Sequence, residues 1–266
     1  MADRYRSNPL RHGIVNIIFA SYGNDSVALI QWAYEHKLQN VTIAYSDTGW
    51  AAQKWPARVA LGESWAQSLG FETARLTSMG MEALVAIKKA WPRGGGGKYQ
   101  FCTKALKEDP ALAWLSLVDP ECEATCMIGV RREESANRAT YPEWVEESKN
   151  HGGRQLHAPL VRHLEPERDT LIRKSPLPVL PHRSKECWPC VNARKPELAA
   201  LDEAAASRIE VIEQRAGINS KGNARVMFSS KRHHGAIGIR AVVEDARHGH
   251  TDLFEPAGCD GGWCGS

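Results

Sequence analysis

The stretch from residue 13 to residue 30, GIVNIIFASYGNDSVALI, constrains the fold of this chain more than any other. Its first part, Ile14 to Phe19, is an apolar, β-branched run that is typical of a strand buried on both faces of a parallel sheet. After a turn of small residues, apolar side chains recur at Val27, Ile30 and Tyr34, a spacing that indicates an amphipathic helix. Backbone N–H groups and the positive end of a helix dipole converge at such a turn, so it is predicted to hold a phosphate group.

The turn supplies the first candidate binding residues. The helix is expected to be capped by Asp25 or Ser26, which can accept backbone N–H bonds at its start. Gly23 permits the backbone to approach a ligand closely. A strand-to-helix turn that binds nothing is the alternative. The candidates are Ser21, Tyr22, Gly23, Asn24, Asp25 and Ser26.

Further apolar runs predict an α/β fold, a Rossmann-like parallel sheet flanked by helices, followed by a mostly helical or irregular C-terminal part. The expected domains are residues 1–161, which contain the predicted phosphate-binding turn, and residues 162–266, which carry cysteines, a long helix and a glycine-rich tail. The additional strands are predicted at Val41–Tyr45, Phe71–Leu76, Ala124–Val130 and His157–Val161, and the helices at Pro56–Leu69, Met81–Ala90 and Glu197–Ala216.

Polar residues follow two of these strands directly. Asp47, Thr48 and Gly49 come after the second strand, and a charged segment from Arg131 to Arg138 comes after the strand at 124–130. Ligands of open α/β sheets bind at the carboxyl ends of the strands, so both segments are candidate site residues. An ordinary turn and a solvated helix start are the alternatives. The glycine run at 94–97 is predicted to be a loop, either over a site or as a plain connection.

The composition narrows the class of ligand and the compartment. A net charge of +3 over 266 residues favours anionic ligands without requiring nucleic acid, which usually goes with stronger basic clustering. No stretch is long and apolar enough to span a membrane, and the first residues lack an apolar signal sequence. We therefore expect a cytoplasmic protein that makes no membrane contact.

Seven cysteines in a reducing compartment indicate metal or redox chemistry more than disulfides. Cys187 and Cys190 form a C-x-x-C pair that can reach one metal ion, and a zinc or iron–sulfur site needs about four ligands. Cys102, Cys259 and Cys264 are the available supplements. Cys264 is alternatively a free nucleophile near the end of the chain, and all these thiols are alternatively packing residues.

Four motifs, taken in order, resemble the phosphoadenosine-phosphosulfate (PAPS) reductase family of the adenine-nucleotide α-hydrolase, or PP-loop, superfamily. The loop Ser21 to Ser26 stands where the superfamily has Ser-Gly-Gly-Lys-Asp-Ser. The other three motifs are Asp47-Thr48-Gly49, Cys102-Thr103-x-x-Leu106-Lys107 and Gly129-x-Arg131-x-x-Glu134-Ser135-x-x-Arg138. The resemblance spans roughly residues 13 to 200 and implies the Rossmann-like fold expected above.

The resemblance implies an adenine nucleotide as ligand, PAPS, APS or ATP, and a role in sulfur metabolism. In the sulfonucleotide reductase activity that it favours, Cys264 attacks the sulfur and a thioredoxin-like thiol donor completes the reduction. Arg131 and Arg138 would neutralise the sulfate or phosphate, and Gly129 and Lys104 join the nucleotide site. A metal centre of Cys102, Cys187, Cys190 and Cys259 would hold a 4Fe–4S cluster in preference to zinc.

Two departures from the family pattern leave alternatives open. Asn24 replaces the lysine that ATP-splitting members carry, which removes a positive charge, and the tail keeps Cys264-Gly265 without a glutamate. One alternative is an ATP-dependent sulfurtransferase that uses Mg²⁺ and an iron–sulfur cluster to modify DNA or RNA. Another is a nucleotide-binding regulatory module without turnover. A homodimer is possible under each of them.

Overall fold

The computed structural model describes residues 15–95, 97–228 and 233–248. The described part is an α/β structure built on one six-stranded sheet. The strands are β1 (Asn16–Phe19), β2 (Val41–Asp47), β3 (Glu72–Thr77), β4 (Thr125–Met127), β5 (Trp144–Ser148) and β6 (Arg154–His157). The helices are α1 (Asn24–Glu35), α2 (Trp55–Ser68), α3 (Met81–Lys88), α4 (Phe101–Thr103), α5 (Asp109–Val118), α6 (Glu165–Ile172), α7 (Lys195–Ala199), α8 (Glu203–Ala216) and α9 (Ile239–Arg247), with a π-helical turn (Lys104–Glu108) between α4 and α5.

The sheet has the order β3-β2-β1-β4-β6-β5, and all neighbouring pairs are parallel except β5 with β6. Strand β1 pairs with β2 on one side and with β4 on the other, so the order reverses at β1. In open α/β sheets, a ligand crevice lies at this reversal, outside the carboxyl ends of the strands. The predicted Rossmann-like parallel sheet flanked by helices is therefore confirmed, and it places a crevice between the ends of β1 and β4.

The sheet is buried on both faces, as the apolar run of β1 predicts. Ile18 packs with α1, α2 and α6 on one face, whereas Ile17 packs with α5 on the other. Alternate residues of a strand point to opposite faces, so two adjacent isoleucines serve two cores. Helix α6 lies against α1, and its Leu171 and Ile172 share the core of the first face.

A third apolar core holds the C-terminal helices against α3. It joins Trp50 and Leu84 to Ile209 of α8 and Val242 of α9. The boundary expected at residue 161 stays a prediction, since residues on its C-terminal side contribute to the core around α1 as well as to this one.

Three local expectations are wrong. The helix predicted at 197–216 is two helices, because Asp202 accepts the Ala205 N–H at 2.8 Å and caps α8, whose C-cap is Gly217. The last parallel strand ends at His157 instead of beginning there, and β5 was not predicted. Helix α1 begins after Gly23, so neither Asp25 nor Ser26 is its cap.

No helix within the described ranges is long and apolar enough to cross a membrane.

Candidate functional site

A pocket of about 480 Å³ lies at the reversal of the strand order, and we call it the switch-point pocket. Its walls come from the ends of β1, β2 and β4 and from the start of α1. It is lined by Phe19, Ala20, Ser21, Ser26, Ala44, Tyr45, Ser46, Lys107, Ile128, Gly129, Val130 and Glu186. The predicted loop therefore borders the crevice, with its two serine residues lining the pocket.

The loop is shaped by bonds among its own residues. The Gly23 N–H donates to Ser21 Oγ at 3.3 Å, and Ser26 Oγ donates to the Gly23 carbonyl at 3.2 Å. Ser21 Oγ accepts in this pair of bonds, so its O–H can still donate to a ligand, whereas the single O–H of Ser26 can do so only by leaving the Gly23 carbonyl. The loop can thus offer hydroxyl groups and a helix N-terminus to an anion in the pocket.

Tyr22 serves packing in this structure. Its backbone adopts a positive φ of 59°, and its ring is fully buried over α2, where a Cβ at Gly62 would overlap it. Burial raises the pKa of the Tyr22 phenol, so the side chain stays neutral. Tyr22 does not line the switch-point pocket, and its side chain lies in the core of the first sheet face.

Asn24 is tied to a distant segment. Its side-chain amide donates to the Leu180 carbonyl and accepts from the Leu180 N–H, each at 2.9 Å. Arg58 strengthens this tie, because its Nε donates to the Tyr22 carbonyl at 2.7 Å and its Nη atoms donate to the Pro178 carbonyl at 3.2 Å. Asn24 therefore fixes the loop to residues 178–180 instead of facing the pocket.

Asp25 is a buried carboxylate that organises the base of the loop. Arg131 Nε donates to it, and Arg168 Nη1 lies 3.9 Å from it. Arg131 Nη1 also donates to Glu133 at 2.9 Å. The two predicted clamp residues, Arg131 and Arg138, are both buried, and Arg138 donates to Glu134. In the structure these two arginines thus neutralise nearby carboxylates, and their role as anion clamps stays a prediction.

Gly129 allows β4 and α1 to meet closely. A Cβ at this position would lie 2.8 Å from the Asp25 carbonyl oxygen and 2.9 Å from its carbon. The residue also lines the switch-point pocket. A glycine is thus required where the segment after β4 contacts the start of α1.

The segment after β2 lies between this pocket and a second one. Asp47 Oδ1 accepts the Gly49 N–H at 2.9 Å, and Gly49 has a positive φ of 62°. Thr48 is fully buried, and its Oγ1 donates to the Glu186 carbonyl at 3.2 Å. The predicted Asp-Thr-Gly turn is therefore a structural turn whose middle residue reaches the C-x-x-C segment.

The second pocket, of about 690 Å³, contains three of the predicted metal ligands, and we call it the cysteine pocket. Cys102 comes from α4, and Cys187 and Cys190 come from the segment before α7. The complete lining is Thr48, Met81, Gln100, Cys102, Thr103, Leu106, Lys107, Arg183, Ser184, Glu186, Cys187, Trp188, Pro189, Cys190, Val191 and Glu197. This lining is consistent with the prediction that Cys102 and the C-x-x-C pair, which are far apart in the sequence, lie in one site.

The described cysteines do not form a preassembled metal site. Within the described ranges, no group of three or more His, Cys, Asp or Glu side chains is placed to hold a metal ion. Burial, followed by the charge of Glu186, raises the pKa of the Cys187 thiol well above its usual value. The predicted ligand Cys259 and the predicted nucleophile Cys264 lie outside the described residues.

Two residues missed as site candidates join the pockets. Lys107 Nζ donates to Glu186 Oε2 at 2.8 Å, and both side chains line both pockets. They are only 8% and 4% exposed. Lys107 belongs to the motif that begins at Cys102, and Glu186 directly precedes the C-x-x-C pair. Their nearness in sequence to predicted site residues could therefore have identified both as site candidates. The predicted site residue Lys104 is 67% exposed and pairs with Asp109 outside both pockets.

Comparison with known proteins gives distant similarities. No protein-family model matches the chain. An uncharacterised 37.8 kDa protein from the gpa 5′ region of Escherichia phage 186 is 25% identical over an alignment 239 residues long, gaps included, and the match covers 70% of this chain and 70% of that protein.

Two solved structures are similar at low identity. A PAPS reductase from Candida auris, in a phosphate complex, matches with a TM-score of 0.44 and 12% identity, over 63% of this chain and 76% of that chain. The U34-tRNA thiolase NcsA from Methanococcus maripaludis, with its 4Fe–4S cluster, matches with a TM-score of 0.43 and 13% identity, over 88% of this chain and 81% of that chain. The chain is thus similar in structure to these two proteins, and no sequence family is shown.

Proposed function

We propose that this chain is an adenine-nucleotide-binding enzyme of sulfur chemistry, with the nucleotide in the switch-point pocket and the three described thiols of the cysteine pocket next to it. One observation carries the proposal: Lys107 and Glu186 line both pockets, so a ligand in one lies next to the thiols of the other. The four ordered motifs that resemble the PAPS reductase family support an adenine nucleotide as the ligand and sulfur chemistry as the reaction.

The nucleotide's anionic end would lie at the loop. Ser21 and Ser26 offer hydroxyl groups, the start of α1 offers its dipole, and Lys107 offers a cation. Gly129 lines the pocket from the side of β4. Phosphate or sulfate oxygens accept hydrogen bonds from all three kinds of donor, and charge-assisted bonds are the stronger ones.

The charge of the pocket favours a sulfonucleotide reductase. Among its described lining residues, Lys107 is the one cation and Glu186 the one anion, so their charges cancel. Asn24 stands at the loop's lysine position and is bonded to Leu180. A pocket of this kind suits a phosphosulfate better than a triphosphate, which concentrates more negative charge at the loop.

In this reductase, a thiolate attacks the sulfur of APS or PAPS and the nucleotide phosphate leaves with the electrons of the S–O bond. The product is a thiosulfonate on the protein, and a thioredoxin-like dithiol then releases sulfite and is oxidised to a disulfide. We assign the attack to Cys264, which lies near the end of the sequence. A thiolate is required because the neutral thiol is a poor nucleophile.

A second candidate function is ATP-dependent sulfur transfer to DNA or RNA. The presence of three cysteines in one pocket favours it, because thiolates bind zinc and iron–sulfur clusters. The donor chemistry of Cys102, Cys187 and Cys190 suits such a centre, whereas their arrangement is not preassembled. We therefore derive no reaction step from a metal. Iron, zinc and acid-labile sulfide analysis of anaerobically purified protein tests whether a centre is present.

Calorimetry with AMP, adenosine 3′,5′-bisphosphate and Mg·ATP tests the nucleotide site. Ser21→Ala should raise Kd for the preferred nucleotide about tenfold, because a hydrogen bond to a charged group contributes about 1.5–3 kcal/mol. Ser116→Ala, an exposed serine on α5, is the matched control and should leave Kd unchanged. Absence of binding by all three nucleotides would remove the proposal.

Product analysis then separates the two activities. The reductase releases sulfite from APS or PAPS with a dithiol donor, and Cys264→Ser abolishes that release. The sulfurtransferase releases pyrophosphate from Mg·ATP. Nucleotide binding with neither product would select the regulatory module.

A further inference from the structure

The two residues between Cys187 and Cys190 are held by a tryptophan from another loop. The Trp188 N–H donates to the Trp50 carbonyl at 2.8 Å, and Trp50 Nε1 donates to the Pro189 carbonyl at 3.0 Å. Trp50 and Trp188 are both buried, at 1% and 4% exposure. Each of these bonds therefore satisfies a backbone group that has little access to water.

Arg208, which projects from α8, completes this support. Its Nη2 donates to the Trp188 carbonyl at 2.7 Å, and its guanidinium carbon lies 3.9 Å from the centroid of the Trp50 ring. Arg208 Nε is buried and has no hydrogen-bond partner within the described ranges. The side chain is thus oriented by the Trp50 ring and the Trp188 carbonyl, although this leaves one donor unsatisfied, which is costly in a buried site.

The two chain segments are also joined on either side of these contacts. The Ala52 N–H donates to the Lys185 carbonyl at 2.9 Å, and Thr48 Oγ1 donates to the Glu186 carbonyl at 3.2 Å. Residues 48–52 and 185–189 therefore run alongside each other. The direct contacts to the peptide groups between the two cysteines come from Trp50 and Arg208.

We infer that Trp50 and Arg208 are the positioning residues that set the placement of Cys187 and Cys190 in the cysteine pocket. They bind the peptide groups that connect the two cysteines, so loss of either support lets the pair shift and opens it to solvent. The inference deepens the proposed function, on which it rests for the reactivity of the cysteine pocket. The contacts themselves do not depend on a nucleotide.

The test measures how fast iodoacetamide alkylates each cysteine of the full-length protein as purified, by peptide mass spectrometry. Trp50→Phe keeps an aromatic ring and removes the indole donor, and Arg208→Met removes the guanidinium. Trp91→Phe is the matched control. Trp91 packs edge-on against Trp50 at 5.9 Å between centroids, and its Nε1 has no hydrogen-bond partner in the described structure.

Cys126 is the internal reference, because it is fully buried in β4 and becomes reactive only when the sheet opens. We expect Trp50→Phe and Arg208→Met each to raise the alkylation rates of Cys187 and Cys190 about tenfold, the size expected for one buried hydrogen bond. The Cys126 rate should stay unchanged. Arg208→Lys should show a smaller increase, since lysine keeps the charge without the planar fork.

The double variant Trp50→Phe/Arg208→Met should raise the alkylation rates by less than the product of the two single increases, because the two side chains contact each other and bind neighbouring carbonyls, those of Pro189 and Trp188. Wild-type rates at Cys187 and Cys190 in both single variants would overturn the inference. So would an equal increase in Trp91→Phe, or an increase that Cys126 shares. Failure of nucleotide binding leaves this measurement unaffected, so the two proposals fail separately.

Discussion

The two pockets share Lys107 and Glu186 and yet are built in different ways. The switch-point pocket is lined mainly by residues at the ends of β1, β2 and β4, so pairing of parallel strands places them. The cysteine pocket is lined by α4, the π-helical turn and the segment 183–197, which are held by apolar packing between α3, α8 and α9. One pocket thus follows from sheet geometry, whereas the other depends on contacts between distant loops.

This difference makes the pockets separable by substitution. Changes at strand ends should alter nucleotide binding, and changes at the loop contacts should alter cysteine reactivity. The shared ion pair should affect both. The predictions that follow are ordered by the expected size of the effect.

The largest effect is expected for Lys107→Met. It leaves Glu186 buried without its cation, and removal of one partner from a buried ion pair costs about 3–5 kcal/mol. The free energy of unfolding in urea measures this cost. Nucleotide affinity and alkylation of Cys187 should both change in the same variant.

Lys104→Met is the matched control, three positions earlier in the chain. Its ion pair with Asp109 is exposed, and exposed pairs contribute about 0–1 kcal/mol. Equal losses of unfolding free energy in the two variants would contradict the prediction that the Lys107–Glu186 ion pair is buried between the two pockets. A loss of nucleotide affinity in Lys104→Met would show that Lys104 contributes to the nucleotide site after all.

A pH effect on stability is expected on the sheet side. His151 is buried beside Phe19, a lining residue of the switch-point pocket, with 5.5 Å between ring centroids. Burial, and then the charge of Arg154, lowers the pKa of His151 to about 4. The unfolded chain binds this proton below a pKa of about 6.5, while the folded chain resists it down to about 4. The histidine's contribution is therefore complete above pH 6.5 and is lost as the pH falls towards 4.

The loss should amount to about 3 kcal/mol between pH 7 and pH 4, at about 1.4 kcal/mol per unit of pKa difference. His151→Gln, which cannot titrate, isolates the effect from other groups. The difference in unfolding free energy between wild type and this variant should shrink by that amount over the range. If the difference in unfolding free energy between wild type and His151→Gln does not depend on pH, the pKa of His151 is not lowered, which would mean that water reaches its imidazole ring.

The smallest effects, about 1–3 kcal/mol each, are expected for a pair of glycine substitutions that affect one pocket each. In Gly129→Ala, the new Cβ meets the Asp25 backbone at 2.8 Å, so nucleotide affinity should fall. In Gly94→Ala, it meets the Val191 carbonyl oxygen at 2.7 Å, next to Cys190, so the alkylation rate of Cys190 should change. Calorimetry and alkylation on both variants check the separation. A loss of nucleotide affinity in Gly94→Ala of the same size would show that the pockets respond as one.

The sequence predicts the sheet side well because the signals there are local. The apolar run before Ser21 and the small residues after it determine a strand, a turn and a helix within one short stretch. Gly129 is likewise a small residue just after an apolar strand, β4, so its neighbours in the sequence are enough to single it out. The division of the helix at Asp202 was missed, since the apolar positions of α7 and α8 continue one periodic pattern across the cap.

The partners of charged side chains were not predictable from the sequence. Arg131 and Arg138 have the types and spacing of an anion clamp, and only the fold shows that Asp25 and Glu134 are beside them. Lys107 and Lys104 are equally plausible in the sequence. In the structure Lys104 is exposed and pairs with Asp109, whereas Lys107 is buried and pairs with Glu186, which is 79 positions away.

The bonds between Asn24 and Leu180 bear on the order in which the protein is assembled during synthesis. The side-chain amide of Asn24 in the loop motif is bonded to Leu180, which is synthesised 156 positions later. Domains fold as units as the chain emerges from the ribosome, and contacts between distant positions form late. The strands up to β4 are complete before residue 180 exists, so the loop Ser21–Ser26, although it is translated before those later strands, is among the last parts of the sheet edge to reach its final state. A chain that is released or cleaved before residue 180 therefore contains the whole motif without the support that shapes it.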